Sequence, residues 1–428
     1  MREVDIVYLY EHASRELDVA CAVTARLRRD FGLSVEIVHW PQGFGEAVAT
    51  IQPRLVILPF CYSERSYTNL LHFWNKVIFF NLTWEQLFYP GNQKAKTPRG
   101  AFAVEHVIHH AWSNAYAEFL GAQGIPADHI VRNGQPAYTL YDEPYRRYFA
   151  TREALARRYD IDPQKRWIFF PENYNWAFYS DATLARFLAD GQSQLEITEM
   201  RDFCNRSLNE VLDWCRAAAL ERHVEIILRP RPSTPLASFR EVLQHSLLDI
   251  PAGLHILDNE SVREWILASD AVVSSHSTSL IESAIARKRI YILEPFPIPA
   301  PLKAEWHSCV PRIKTEEAFL SMCRGDALDP EDHALESWAR QRLMSNGDAI
   351  KNLAVCMNDL VSGKGARPAA YKNRGFLTPA KRILPKRLWA LYRQKEWQWK
   401  PIAPIYVKEV LTPVEMEERI AKWEEILP

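Results

Sequence analysis

Short apolar runs rich in β-branched residues alternate along this chain with segments whose apolar positions recur at helical spacing. DIVYLY (5–10) predicts a first strand, and residues 16–30 carry a helix-period pattern. VEIVHW (35–40), LVILPF (55–60), KVIFFN (76–81), HVIHHAWSN (106–114) and IVRNG (130–134) read as further strands. A charged, helix-prone stretch follows from about Tyr145 to Asp160, and then the pattern restarts. RWIFFPE (166–172), VEIILRP (224–230), HILD (255–258), AVVSS (271–275) and RIYILEP (289–295) predict strands, with a long helix over 195–221 and a short one over 261–270. Strands separated by helices imply parallel pairing through crossover helices. The expected architecture is α/β: two Rossmann-like domains, 1–145 and 146–360, facing a central cleft, followed by a tail over 361–428.

At 428 residues the chain exceeds one ordinary core, which agrees with two domains. Its 47% hydrophobic and 25% charged content is that of a folded soluble protein. A formal net charge of −1 argues against a protein that coats nucleic acid. Cys21, Cys61, Cys204, Cys215, Cys309, Cys323 and Cys356 are odd in number and form no zinc spacing, so reduced cytosolic thiols are expected. MREVDIVYLY has no signal-peptide pattern, and no apolar run approaches a membrane span. The expected location is therefore cytoplasmic. Between Lys364 and Lys400 stand eleven Lys or Arg and a single acid, with Trp389, Tyr392, Trp397 and Trp399 interleaved. Such a stretch suits an anionic membrane surface, which would make the protein peripheral at the inner face; a solvated or packed-back tail is the alternative.

The chemistry concentrates at strand ends. In VVSSHSTSLIES (272–283), Ser274, Ser275, His276, Ser277 and Thr278 lie between a strand and a helix, with Glu282 one turn inside it. Helix N-termini favour anions and hydroxyls add donors, so phosphate is the expected guest and Glu282 suits ribose hydroxyls. A simple helix cap needs one hydroxyl, and five are present counting Ser279. ILRPRPST (227–234) offers Arg229 and Arg231 to phosphate oxygens, against the plain reading of solvated strand-end arginines. FPENYNWAFYSD (170–181) adds Asn173 and Tyr174 beside Glu172, although core packing suits its aromatics equally well. After the first strand, YEHASRELD (10–18) supplies Glu11, His12 and Asp18, and NLTWEQ (81–86) supplies Glu85, all candidates for acid–base work. Their plain alternative is a helix start whose charges face water. The histidines of HVIHH match no zinc spacing, so no metal is expected. Neither a G-x-G-x-x-G nor a P-loop occurs, which weighs against dinucleotide oxidoreductases and NTPases.

Several of these stretches together resemble the bacterial surface-carbohydrate biosynthesis proteins, GT-B glycosyltransferases related to the capsule and O-antigen Kdo transferases. The resemblance is carried by SRELD (14–18), NLTWEQ (81–86), GIPADHIVRNGQPAY (124–138), ENYNWAF (172–178), ILRPRPS (227–233) and SDAVVSSHSTSLIESAIARKRIYIL (269–293). They cover roughly the first 300 residues in order and exclude the basic tail. The resemblance implies a GT-B-like fold and transfer of a sugar, such as a CMP-activated sugar acid like Kdo, from a nucleotide donor to a surface glycan or its lipid-linked precursor. The nucleotide-sugar would be a co-substrate, with no separate cofactor. The second domain would bind it and the first the acceptor. Relatives carry Arg-Pro-His-Pro where this chain has Arg229-Pro230-Arg231-Pro232, and Arg231 cannot shuttle a proton at neutral pH. Alternatives sharing the pattern are a sugar-nucleotide 2-epimerase, a transferase of glycerol or ribitol phosphate from a CDP donor, and a non-catalytic glycan-binding paralogue.

Overall fold

The computed structural model describes residues 1–427 except 75, 91, 190, 232–233, 235, 247–249, 327–332, 345–346 and 372–408. The chain divides into two compact units. The first comprises Met1–Leu87, Lys94–Tyr148 and the described residues from Arg342 onward; the second comprises Phe88–Gln93 and Phe149–Gln341.

The first unit is built on a parallel sheet of β1 (Arg2–Tyr10), β2 (Val35–His39), β3 (Ile51–Leu58), β4 (Ile78–Asn81), β5 (Val107–Ala111) and β6 (Ile130–Arg132), ordered β2-β1-β3-β4-β5-β6. The β1–β3 register sets Ile6 against Leu55 and Tyr8 against Ile57, and all four side chains are buried. Burial on both faces is why these strands read as continuous apolar runs. The second unit repeats the plan with β7 (Arg166–Pro171), β8 (Val224–Arg229), β9 (Leu254–Ile256), β10 (Ala271–Ser274), β11 (Arg289–Leu293) and β12 (Arg312–Ile313), ordered β12-β11-β10-β7-β8-β9. All pairings here are parallel too. In each sheet the strand order reverses once, between β1 and β3 and between β7 and β10. At such a switch the loops leaving the carboxyl ends diverge and leave room for a ligand.

One expectation needs correction. The second unit ends at Gln341 rather than 360, and the chain then returns to the first unit. The reason is packing. Helix Ala349–Ser362 and the C-terminal helix Pro413–Ile426 both lie against helix Asp18–Phe31. The C-terminal helix starts on a capping box, Thr412 with Glu415, and has Pro413 in its first turn. It buries Met416, Ile420 and Trp423, with the Trp423 ring stacked on Tyr148 at 4.0 Å between centroids. The end of the expected tail is thus part of the first unit's core. Most of the stretch expected to meet a membrane, 372–400 with its tryptophans, lies outside the described residues. Among the described residues no helix is long and apolar enough to cross a membrane.

Candidate functional site

In the first unit, the loops after β1 and β4 bring acids and bases together at the switch point. After β1 the chain makes a π-helical turn over Ala13–Leu17 before helix Asp18–Phe31 begins. Such turns cluster at functional sites because they re-aim side chains. Here the turn aims Arg15 at three carboxylates. Its Nη2 lies 2.6 Å from Glu16 Oε1 and 3.6 Å from Glu11 Oε2, and its Nη1 lies 3.2 Å from Glu85 Oε1. Lys96 pairs with the other oxygen of Glu85. The fully buried Glu16 also accepts a hydrogen bond from the Glu11 backbone N–H at 2.9 Å. His12 sits between Glu11, 3.9 Å from its Nε2, and Glu409, 3.7 Å from its Nδ1. The buried Glu409 carboxylate accepts the Ala13 N–H, while its carbonyl accepts the Tyr10 hydroxyl at 2.8 Å. Burial raises the Glu11 carboxyl above its ordinary value; Glu16 and Glu85 add to the rise, while His12 and Arg15 oppose it.

The loop after β4 is held from beneath. Thr83 adopts φ 44°, a left-handed conformation costly for a β-branched residue. Asn81 enforces it: its Oδ1 accepts the Thr83 N–H at 3.2 Å and its Nδ2 donates to His109 Nδ1 at 3.1 Å. His109 Nε2 in turn donates to the Ala103 carbonyl at 2.7 Å, which fixes the tautomer. Gln86 ties the same loop to β5, donating to the His110 carbonyl at 2.8 Å and accepting from the Trp112 N–H at 2.8 Å. Three residues of NLTWEQ therefore hold the loop, and Glu85 faces the cluster. Of the histidines in HVIHH, His109 and His110 are buried strand residues of β5, whereas His106 precedes the strand and is partly exposed.

One of the four proposed bases fares differently. Glu11, His12 and Glu85 meet in one cluster. Asp18 does not join them: it is buried with its Oδ1 3.6 Å from Arg419 of the C-terminal helix. Its place on helix Asp18–Phe31, after the π turn, carries it away from the loop and into a structural ion pair.

In the second unit, the loops after β7, β8 and β10 meet at the other switch point. Glu172 is buried directly after β7. Its carboxylate accepts the Tyr174 N–H and, at 3.4 Å, the Arg231 N–H, and its own N–H donates to the Arg229 carbonyl at 2.9 Å. Burial raises its carboxyl, against the two N–H groups and the nearby Arg231 charge. The side chain of Arg229, buried, donates to the Glu260 carbonyl at 2.8 Å. Ser275 Oγ and His276 Nδ1 share a hydrogen bond of 2.9 Å, and the His276 carbonyl accepts the Tyr89 hydroxyl at 2.6 Å. The His276 ring is held neutral, pushed down to about 3 by burial first and then by His307 and Arg231. His307, likewise depressed to about 4 by burial, faces Tyr89 with ring centroids 6.4 Å apart.

Within the serine run the hydroxyls divide. Ser274 was expected to meet phosphate, but its hydroxyl donates to the Pro171 carbonyl at 2.6 Å and stitches β10 to β7 inside the core. Ser277 Oγ accepts the Ser279 N–H at 3.3 Å, and Thr278 stands exposed at the start of helix Ser279–Ile285. Glu282 lies one turn in, as expected, with its carboxylate 3.7 Å from the buried Arg263. Tyr174 also needs correction. It is fully buried beneath the loop, where its ring packs near Phe170 and Phe203, so it presents no face to a ligand. Asn173, beside it, is partly exposed. Among the described residues no group of three or more His, Cys, Asp or Glu is arranged to hold a metal ion.

Sequence reasoning missed Glu409, Lys96, Tyr89 and His307. Each comes from a segment without periodicity or motif, and only tertiary packing brings it to its place.

Two α/β units with these parallel six-stranded sheets define a GT-B-like fold. A structure from Listeria monocytogenes described as a UDP-N-acetylglucosamine 2-epimerase matches with a TM-score of 0.51 at 12% identity, covering 87% of this chain and 100% of that one. S. aureus MnaA with UDP matches at 0.54 and 11%, with the same coverage. The wall teichoic acid polymerase TagF matches at 0.54 and 10%, over 84% of this chain and 89% of that one. No protein-family model matches the chain, and no curated protein matches it in sequence.

Proposed function

We propose that the protein is a glycosyltransferase of surface-carbohydrate synthesis that takes its sugar from a nucleotide-activated donor. One observation carries this. At the switch point of the second unit, Ser275, His276, Arg231 and the partly exposed Ser277 and Asn173 converge on one end of the sheet, ordered by the buried Glu172. Hydroxyl donors and an arginine suit a diphosphate, and a neutral His276 ring adds a donor or acceptor without a second charge. In the reaction, an acceptor hydroxyl oxygen bonds to the anomeric carbon as the bond from that carbon to phosphate oxygen breaks. The nucleotide departs with the electron pair, its charge stabilised by Arg231 and the serine turn. The acceptor proton passes to a general base, a role for which Glu11, His12 and Glu85 are the candidates. A CMP-activated sugar acid remains one donor to test, beside UDP, CDP and GDP sugars.

A second reading has its own support. Glu11 and His12 stand 3.9 Å apart on one turn, a pair able to remove and return a proton at a sugar carbon, as 2-epimerisation requires. MnaA, of similar fold, has UDP in its solved structure.

Thermal unfolding with CMP, CDP, UDP and GDP tests the common core of both. The matching nucleotide, at a hundredfold excess over its Kd, should raise Tm by roughly 5 °C. Ser275→Ala and Arg231→Ala should each remove most of that shift. If no nucleotide stabilises the protein, both readings fall. Incubation of the corresponding nucleotide-sugar in D2O without acceptor then separates them: deuterium at C2 marks an epimerase, and turnover that requires a glycan acceptor marks a transferase.

A further inference from the structure

The first unit's cluster has a charge balance that bears on what it binds. Glu11, Glu16, Glu85 and Glu409 supply four carboxylates, against the permanent cations Arg15 and Lys96, with His12 between two of the acids. Arg15 directs its guanidinium inward. Its Nε and Nη2 donate to Glu16 at 3.1 and 2.6 Å, and its Nη1 donates to Glu85 at 3.2 Å. Lys96 is engaged by Glu85 as well. An arriving carboxylate or phosphate would compete with four acids for two committed cations. Sugar hydroxyls, and an ammonium even more, instead find carboxylate acceptors ready for charge-assisted hydrogen bonds.

A second feature lies across the switch point, on the loop after β3. Phe60 and Tyr62, both partly exposed, stack with centroids 5.7 Å apart and planes 21° from parallel. Tyr62 lies near enough to Glu85, Arg15 and Glu11 to feel their charges. The outer face of such a stacked aromatic pair, beside hydroxyl acceptors, is the chemistry that receives the C–H face of a sugar ring while its hydroxyls are fixed.

We infer that the first unit binds an uncharged or amino-bearing sugar ring, stacked on Phe60 and Tyr62 and held by Glu11 and Glu85, and that it selects against anionic acceptors such as sugar acids and polyol phosphates. The assignment rests on reading the first unit as the acceptor-binding half. Glu409 takes part from a distant stretch of chain: by holding the Ala13 N–H and facing His12, it adds a fourth negative charge. Like-charge placement at a recognition surface excludes partners more effectively than it strengthens the right one.

The test uses the full chain with its stabilising nucleotide present. Four ligands of matched size are titrated by calorimetry: a neutral hexose disaccharide, its amino-sugar counterpart, a sugar-acid disaccharide and a glycerol phosphate dimer. The first two should bind, and the anionic pair should bind about tenfold or more weakly, a gap that narrows at high salt. Glu85→Gln, at a partly exposed position, and Glu409→Gln, which keeps an acceptor for the Ala13 N–H, should each narrow the gap in protein of unchanged Tm. Phe60→Ala should weaken the neutral ligands. Anionic ligands binding as tightly as neutral ones overturn the inference, as does an unchanged gap in both variants. So does the failure of all four to bind while nucleotide still stabilises. Loss of nucleotide stabilisation itself would instead sink the transferase and epimerase readings.

Discussion

Ser274 and Ser275 are adjacent, both fully buried, and tied to different things. Ser274 donates to the Pro171 carbonyl, and Ser275 bonds the His276 ring. Ser274→Ala should therefore cost about 1–2 kcal/mol in urea unfolding, the price of a buried carbonyl left without its donor, and should leave the nucleotide-induced Tm shift intact. A lost shift in Ser274→Ala would mean that its hydroxyl turns to the ligand. The same logic applies under β4. Asn81→Ala removes partners from both the Thr83 N–H and His109 Nδ1, and it should cost about 2–4 kcal/mol because two buried groups are orphaned. The sequence shows that hydroxyls and amides crowd these strand ends. It does not show which ones face inward, because a one-residue difference in strand register reverses the side on which each lies.

At the level of elements, most strands were legible because both faces of a parallel sheet are buried, which leaves short apolar runs bounded by polar turns. β12 carries no such signal, because Arg312–Ile313 is too short to show a period. The C-terminal helix shows the sharper limit. Its start was written in Thr412, Pro413 and Glu415, yet its partner, helix Asp18–Phe31, lies some four hundred residues away in sequence. Charge marks the tail as basic, while the buried Met416, Ile420 and Trp423 decide where its end packs. Trp423→Ala should cost about 3–5 kcal/mol, since a fully buried ring stacked on Tyr148 leaves a large cavity. It should also expose the nearby loop after β1, so limited proteolysis of the variant should cut near His12 sooner than in the parent. Wild-type protection in a folded Trp423→Ala protein would show that the helix is an appendage.

Across the whole molecule, histidines buried in neutral form are a shared liability in acid. Burial lowers His39, His109, His110 and His307 to about 4 and His276 to about 3. In the unfolded chain each titrates near its ordinary value of roughly 6.5. Between about pH 6.5 and 4 the unfolded state therefore binds more protons, and stability falls as pH falls, by up to about 1.4 kcal/mol per pH unit for each histidine. Glu11 and Glu172, raised by burial, work in the opposite direction just above the ordinary carboxylate range, where the folded state holds the extra protons. Two such groups against five leave the histidines dominant. Urea unfolding at intervals from pH 7.5 to 4.5 should show a steep loss that begins below pH 6.5. His109→Gln should flatten it by about one proton, because a neutral amide replaces a group that only the unfolded state protonates. A flat profile over this range would mean that these rings are charged in the folded protein. A charged His276 would in turn bring a second cation to the serine turn, and the phosphate-binding chemistry assigned to a neutral ring beside Arg231 would have to be rebuilt around an imidazolium.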